Sequence, residues 1–237
     1  MFIKRLTALI LISIFLFSST ADAQGFLKRL GFKKDLGLSN ETISSGLREA
    51  LAVGIDRTVK STGKSDGYFM NKDIKIPLPK TLKRFERPLR SAGFGPQMDE
   101  FILSMNRAAE AAAPLAKDIF ISAITKMTMK DAKGILNGKD TAATEYLDKN
   151  TRDQLREAFS PKITETMNQF EVTKKYQAVM EKYSSLPLAR NYLKGNVEEY
   201  TTDRALDGLF FVLAKEEKRI RTKPAARTTE LLRKVFK

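Results

Sequence analysis

Apolar residues return every three or four positions along most of this chain, which commits it to helices packed on helices. Ile43, Leu47, Leu51, Ile55 and Val59 make the first stripe, behind Ser39 or Asn40 as N-cap, and the helix should stop near 61–63. Met98, Phe101, Ile102, Met105, Ala108, Ala109 and Ala112 repeat the pattern. They lie between the break at Gly93-Phe94-Gly95-Pro96 and a restart at Pro114. Leu115, Ile119, Ala123 and Met127, flanked by Ala116, Phe120 and Ile124, give so wide an apolar face that this helix should be central. Nowhere does a strand pattern alternate with a helical one, as a parallel sheet requires.

Local signals divide the remainder. Residues 66–79 (DGYFMNKDIKIPLP) read as a short β-hairpin or an extended crossing, and Pro77 and Pro79 exclude a central strand. Leu82, Phe85 and Leu89 mark a helix over 80–92 that Pro88 should kink or shorten. Thr128 and Asp131 have capping-box spacing, and Asn137-Gly138 suits the end of that helix. Asp140 should cap a short helix over 141–147, and Thr151 with Gln154 should open another reaching Phe159. Ser160-Pro161 should restart the chain, with helices over 161–170, 172–184 and 201–221. Pro224 should open a terminal helix carrying Leu231, Leu232, Val235 and Phe236. The fold class expected is all-α, one compact domain of about 8–10 mostly short helices.

The N-terminus has three parts. Lys4 and Arg5 precede an apolar run from Leu6 to Phe17, and Ala21-Asp22-Ala23 offers small residues to a signal peptidase. As a helix that run reaches about 18 Å, short of a hydrocarbon core about 30 Å thick. The expectation is a signal peptide over 1–23, a basic arm over 24–38, a single helical domain over 39–237 and a periplasmic location. With no Cys behind the apolar run, no lipid anchor is expected, and no later segment is apolar enough to span.

Composition removes whole chemistries. The chain has no His and no Cys, so zinc sites built on them, Ser-His-Asp triads, cysteine nucleophiles and disulfides are excluded. No metal and no cofactor is expected. Gly63-Lys64-Ser65 resembles the end of a P-loop, but Thr58 stands where Gly is needed. Ser61-Thr62-Gly63-Lys64 matches Ser-x-x-Lys without its companion motifs. Asp131, Asn137, Asp140, Thr141 and Thr144 carry oxygens that could surround a cation, yet their spacing is not that of an EF-hand and helix caps explain them.

Charge is unevenly placed: net +8 over 24–95, −1 over 96–170 and +6 over 171–237. One basic surface holds Lys72, Lys75, Lys80, Lys83, Arg84, Arg87 and Arg90 with Tyr68, Phe69 and Phe85 nearby. A second follows Lys215 to the C-terminus. Either a solvated helix face or an anion-binding surface accounts for them. Export argues against nucleic acid. The anions left are lipid headgroups, lipopolysaccharide phosphates and cell-wall carboxylates, and an envelope protein is a further partner class.

A polar cluster sits in the Ala-rich helix. Asn106 and Arg107 each share a face with Glu110. Glu110 could act as acid or base while Arg107 holds an anion. Alternatively the three join helices, with the Arg227-Thr228-Thr229 run as a partner. Arg221 and Arg227 flank Pro224 at a helix start and suit phosphate or carboxylate, or helix docking.

Several strings in order carry a resemblance: Ile76-Pro77-Leu78-Pro79, the run from Ser104 to Glu110, and that from Met129 to Thr144. Ala205 to Phe210, Glu216 to Arg221 and Pro224 to Phe236 complete it. Over about 38–237 the chain resembles the bacterial domain-of-unknown-function family DUF4197. The resemblance implies an exported protein of Gram-negative bacteria, many of whose relatives carry a lipoprotein signal, and it implies no activity. The absence of a lipobox Cys and the presence of Pro88 are departures from that pattern.

The reading that follows is a non-enzymatic periplasmic helical protein binding an anionic envelope component or a protein partner. The sites are drawn from Asn106, Arg107, Glu110, Asp131, Arg221, Arg227, Thr228 and Thr229 and from the Lys72–Arg90 surface. A carboxylate-based glycan hydrolase or lyase, with Glu110 beside Asp131 or Asp207, and a structural oligomeric subunit are the alternatives.

Overall fold

The computed structural model describes residues 39–184 and 196–226. The expected signal peptide and basic arm, and the run from Arg227 through Thr228 and Thr229 to the C-terminus, lie outside the described residues. Asn40–Lys237 forms one compact unit. Its described part is all-α and without strands, in chain order α1 (Asn40–Thr62), α2 (Lys80–Leu89), α3 (Gly95–Ala112), α4 (Ala116–Thr125), α5 (Met129–Leu136), α6 (Ala142–Met167), α7 (Glu171–Ser184) and α8 (Val197–Thr222). None of these helices is long and apolar enough to cross a membrane.

The core gathers around α6, which packs on α3, α4, α5 and α8. Leu147, Thr151, Leu155, Phe159, Ile163 and Met167 are buried at every fourth position along it. The three helices expected over 141–170 are therefore one. The Thr151 hydroxyl donates to the Leu147 carbonyl at 2.6 Å instead of capping a new start. Pro161 lies inside the helix on its exposed side. A continuous buried stripe outweighs two local start signals, because burying each large side chain is worth about 1.5–3 kcal/mol and a cap only about 1. For the same reason α6, rather than the 115–127 segment, is central. In α4 only Ala116, Phe120 and Ile124 are buried, and Leu115 just before it is exposed.

Ala108, Ala109, Ala112 and Ala113 have no exposed surface, so small side chains let α3 lie close to its neighbours. α8 begins at Val197, earlier than its apolar stripe suggests, because the Asn196 side chain accepts from the backbone N–H groups of Glu198 and Glu199. Pro114 opens a tight turn between α3 and α4. Pro88 falls in the last turn of α2, which ends at Leu89, and a wider turn through Gly93 leads into α3. Gly93 has φ +91°, a conformation suited to glycine.

Residues 66–79 form turns and then an extended run, not a hairpin. This segment is an inner part of the fold: Tyr68, Ile74, Ile76 and Leu78 are buried. The Tyr68 hydroxyl donates to the Ala205 carbonyl at 2.7 Å, and burial drives its pKa far up, so the hydroxyl keeps its proton. Gly208 makes room for the ring. A Cβ there would lie 2.7 Å from Tyr68 Cε1 and 3.1 Å from Ile74 Cβ. Gly208→Ala should cost about 1–3 kcal/mol in urea unfolding, the usual penalty for overpacking a tight core. An unchanged midpoint would show that the ring can yield.

Candidate functional site

Three places collect the residues singled out by the sequence. The first is the face of α3 turned to the 66–76 segment. Asn106 is fully buried. Its Oδ1 accepts from the Ile76 N–H at 2.8 Å, and its Nδ2 donates to the Ile76 and Ile102 carbonyls at 2.9 and 2.8 Å. One side-chain amide thus completes the backbone pairing of an extended residue that has no strand neighbour. Glu110 does the same for the turn before it. Its Oε1 accepts from the Tyr68 and Phe69 N–H groups at 3.0 and 3.1 Å. Its Oε2 accepts from Arg107 Nη1 at 2.6 Å, while Arg107 Nη2 donates to Asp66 at 2.7 Å. The Glu110 hydrogen bond, then that of Asp66, holds the Arg107 pKa above its ordinary value, with burial opposing. Asn106, Arg107 and Glu110 therefore form a clamp that fastens 66–76 to α3.

The second place was not foreseen around Glu217. This carboxylate is buried on α8 and reaches the start of α6. It accepts from the Ala143 N–H at 3.0 Å, and from the Thr144 N–H and hydroxyl, both at 2.8 Å. Arg221 Nε donates to it at 2.9 Å, and Arg221 Nη2 donates to the Ile135 carbonyl at 2.8 Å. Glu217 satisfies orphan N–H groups at the N-terminus of α6, and Arg221 satisfies a carbonyl at the C-terminus of α5. Both charges also suit the helix dipoles they face. The Arg221 expected at an anion site is thus engaged inside the fold.

Asp131 stands apart from both clusters. Its Oδ2 accepts from the Thr128 N–H at 3.0 Å, and its own N–H donates to Thr128 Oγ1 at 3.2 Å, which completes the capping box on α5. The Thr128 side chain, then its backbone N–H, holds the Asp131 carboxyl below its ordinary value. A depressed carboxylate stabilises the fold above its ordinary pKa, and that contribution is lost as acid titrates it through the lowered value. In an NMR pH titration Thr128→Ala should move the Asp131 midpoint upward, and an unmoved midpoint would exclude the cap as the cause.

The other oxygens around it go separate ways. Asp140 lies 3.9 Å from Lys218, the Thr141 hydroxyl donates to Glu145, and Thr144 bonds Glu217. Among the described residues, no group of three or more carboxylates is placed to hold a metal ion. Asp207 pairs with Arg152 at 3.0 Å. Both oxygens of Glu110 already accept from fixed donors. A hydrolase pair instead needs one carboxyl to deliver a proton to its substrate.

The third place is the basic surface. Within it Arg90 is tied to Glu86 at 3.1 Å and to Asp99 at 2.6 Å, and Lys75 Nζ sits 4.0 Å above the Phe69 ring. Lys72 is exposed, and so are Lys80, Lys83, Arg84 and Arg87 on α2. By contrast Lys215, Lys218, Arg219 and Arg221 of the second basic run face Asp73, Asp140, Glu216 and Glu217. The exposed cations of α2 include Arg84, which lies 4.9 Å from the Phe85 ring centroid.

α2 also borders an apolar opening. It contains no buried residue, although Leu82, Phe85 and Leu89 form a stripe. These side chains look across a groove of about 610 Å³ towards Phe94, Met98 and Tyr176. Phe101 packs against Tyr176 with ring centroids 4.9 Å apart. Phe85 and Phe94 remain 44% and 50% exposed, which places two aromatic rings at its mouth. Burial, then the nearby Glu198, pushes the Tyr176 pKa up to about 12, so its hydroxyl is neutral. Periodicity marked the stripe on α2. The groove itself needs α7, whose Val172 and Tyr176 come from far along the chain.

No curated protein and no solved structure matches the chain. The family model described as "Protein of unknown function (DUF4197)" matches residues 37–237. That span includes the α3 clamp, the Glu217–Arg221 pair and the α2 groove, and the chain belongs to the DUF4197 family.

Proposed function

We propose that this is a non-enzymatic exported protein that binds an anionic component of the bacterial envelope on the basic face of α2. The observation that carries this reading is the placement of Lys80, Lys83, Arg84 and Arg87, all exposed, on a helix whose apolar side has no buried residue. A basic amphipathic helix of this kind suits an interface, with cations at phosphates and apolar side chains below them. The carboxylates and the arginines of the other two clusters are already engaged in holding the fold. The apolar run and small residues before position 24 support export.

The experiment is flotation of the protein with vesicles of phosphatidylcholine containing phosphatidylglycerol. Retention is expected at low ionic strength and release as salt rises. The Debye length falls from about 30 Å at 0.01 M to about 3 Å at 1 M, which screens the attraction between exposed charges. Absence of retention at low salt, or retention indifferent to salt, overturns the reading.

A further inference from the structure

We infer that the groove between α2, α3 and α7 takes an acyl chain of an anionic lipid, so that the protein holds a lipid molecule and does more than rest on a surface. This inference rests on the proposed function and adds the identity of what occupies the groove.

The groove has the character of a small-molecule site. Its volume of about 610 Å³ lies within the range of about 300–1,000 Å³ usual for ligand pockets. Its lining is apolar, with Phe85, Leu89, Phe94, Met98, Phe101 and Tyr176 facing the space. Water there gains few hydrogen bonds, and a hydrocarbon chain would release it. The neutral hydroxyl of Tyr176 leaves no fixed charge on that side chain to oppose an alkyl group. The mouth is different in kind. Lys175, paired with Glu171 at 3.0 Å, borders the groove, and Lys83, Arg87 and Arg84, the last 4.9 Å from the Phe85 ring centroid, stand exposed on the helix that forms its wall. An apolar interior beneath a cationic edge complements a molecule with a hydrocarbon tail and an anionic head. An uncharged tail alone would leave the edge unused, and a free phosphate would leave the interior unused.

The wall is suited to admitting such a molecule. α2 contributes no buried side chain, and its densest packing is on the turn that follows it. That turn contains Gly93 at φ +91°, with no atom within 4 Å of where a Cβ would stand. The wall therefore holds no buried side chain that a shift would expose, although Leu82 packs half-buried against the core. Two other clefts among the described residues lack this combination. The opening beside Arg156 and Thr164 also carries Glu198 and Glu199, and that beside Phe211 mixes Asp73 and Asp207 with Lys75 and Arg204.

The test is to incubate the full chain with phosphatidylglycerol vesicles, separate the protein from them, and weigh it by native mass spectrometry. The expected result is one added phosphatidylglycerol per protein. Two variants keep the inference falsifiable. Met98→Trp should fill the groove. Phe85→Ser with Phe94→Ser removes two exposed rings and leaves the core untouched. Each should reduce lipid carried by about tenfold or more, the scale set by losing one or two apolar anchors. Salt-sensitive flotation of the Met98→Trp variant should persist, because the cations and the apolar stripe of α2 remain.

Wild-type protein that floats but carries no lipid afterwards overturns the inference and leaves surface binding standing. Equal uptake of phosphatidylcholine overturns the anionic part of it. A lipid-free dimer formed through this face overturns it in favour of a second copy as the occupant. Failure to float at low salt overturns the underlying reading itself.

Discussion

Glu217→Ala should lower the stability of the folded chain by about 3–5 kcal/mol, the usual consequence of removing one member of a buried ion pair. The side chains of Glu217 and Arg221 are 7% and 10% exposed, so solvent cannot replace the lost partner. The substitution strands the Ala143 and Thr144 N–H groups at the start of α6 and leaves the Arg221 charge unopposed. For a unit of this size each kcal/mol moves the melting temperature by about 2–4 °C, so a fall of about 10 °C is expected. Arg221→Met in the Glu217→Ala background should restore part of the loss, because it removes the buried charge left behind. Thermal unfolding of the single and double variants measures this. Additive losses would show that the two side chains act independently.

Glu110→Ala should be nearly as costly, at about 3 kcal/mol, and its effect should be local as well as global. Arg107 is more exposed than Arg221 and keeps Asp66 as a partner, which softens the loss. The Tyr68 and Phe69 amides have Glu110 as their acceptor. Their hydrogen exchange should accelerate by about a hundredfold if about 3 kcal/mol of protection is lost, at tenfold per 1.4 kcal/mol. Asn106→Leu should instead release the Ile76 amide and leave those of Tyr68 and Phe69 slower to exchange. Uniform acceleration across α1, α6 and α8 in both variants would contradict a clamp that acts on one segment.

The two carboxylates were unequally visible in the sequence. Asn106, Arg107 and Glu110 stood out because polar residues interrupt an alanine-rich face, and a buried polar group must find a partner. Their partner was hidden, since the 66–76 segment is 30–42 residues away and has no regular period. The Arg227 to Thr229 run suggested for that role lies outside the described residues. Glu217 gave no signal at all. Flanked by Glu216, Lys218 and Arg219, it reads as part of a solvated face, and only the approach of the α6 N-terminus makes it structural.

The helices followed the same division. α1 and α3 were legible because their apolar stripes and the breaks that bound them agree. α6 was broken into three because Thr151 and Ser160-Pro161 are good start signals, and local signals cannot register a stripe of core contacts that runs through them. The basic surface was legible as a count of charges. Which of the basic residues are paired was not, because Arg90 and Lys215 find partners only in three dimensions.

The central claim is that α2 presents cations to an anionic envelope surface, and charge removal on that helix tests it most directly. Lys83→Gln with Arg87→Gln leaves the apolar stripe and the core intact, since both side chains are exposed. At about 1 kcal/mol per Lys or Arg near an anionic membrane, the pair should weaken vesicle binding by about thirtyfold at low salt. Lys130→Gln with Lys133→Gln on α5 removes the same charge elsewhere and should change binding by less than about threefold, the scale of a long-range charge effect. The expected result is therefore a loss specific to α2. Equal losses from the two pairs would contradict it and reduce the interaction to net charge alone.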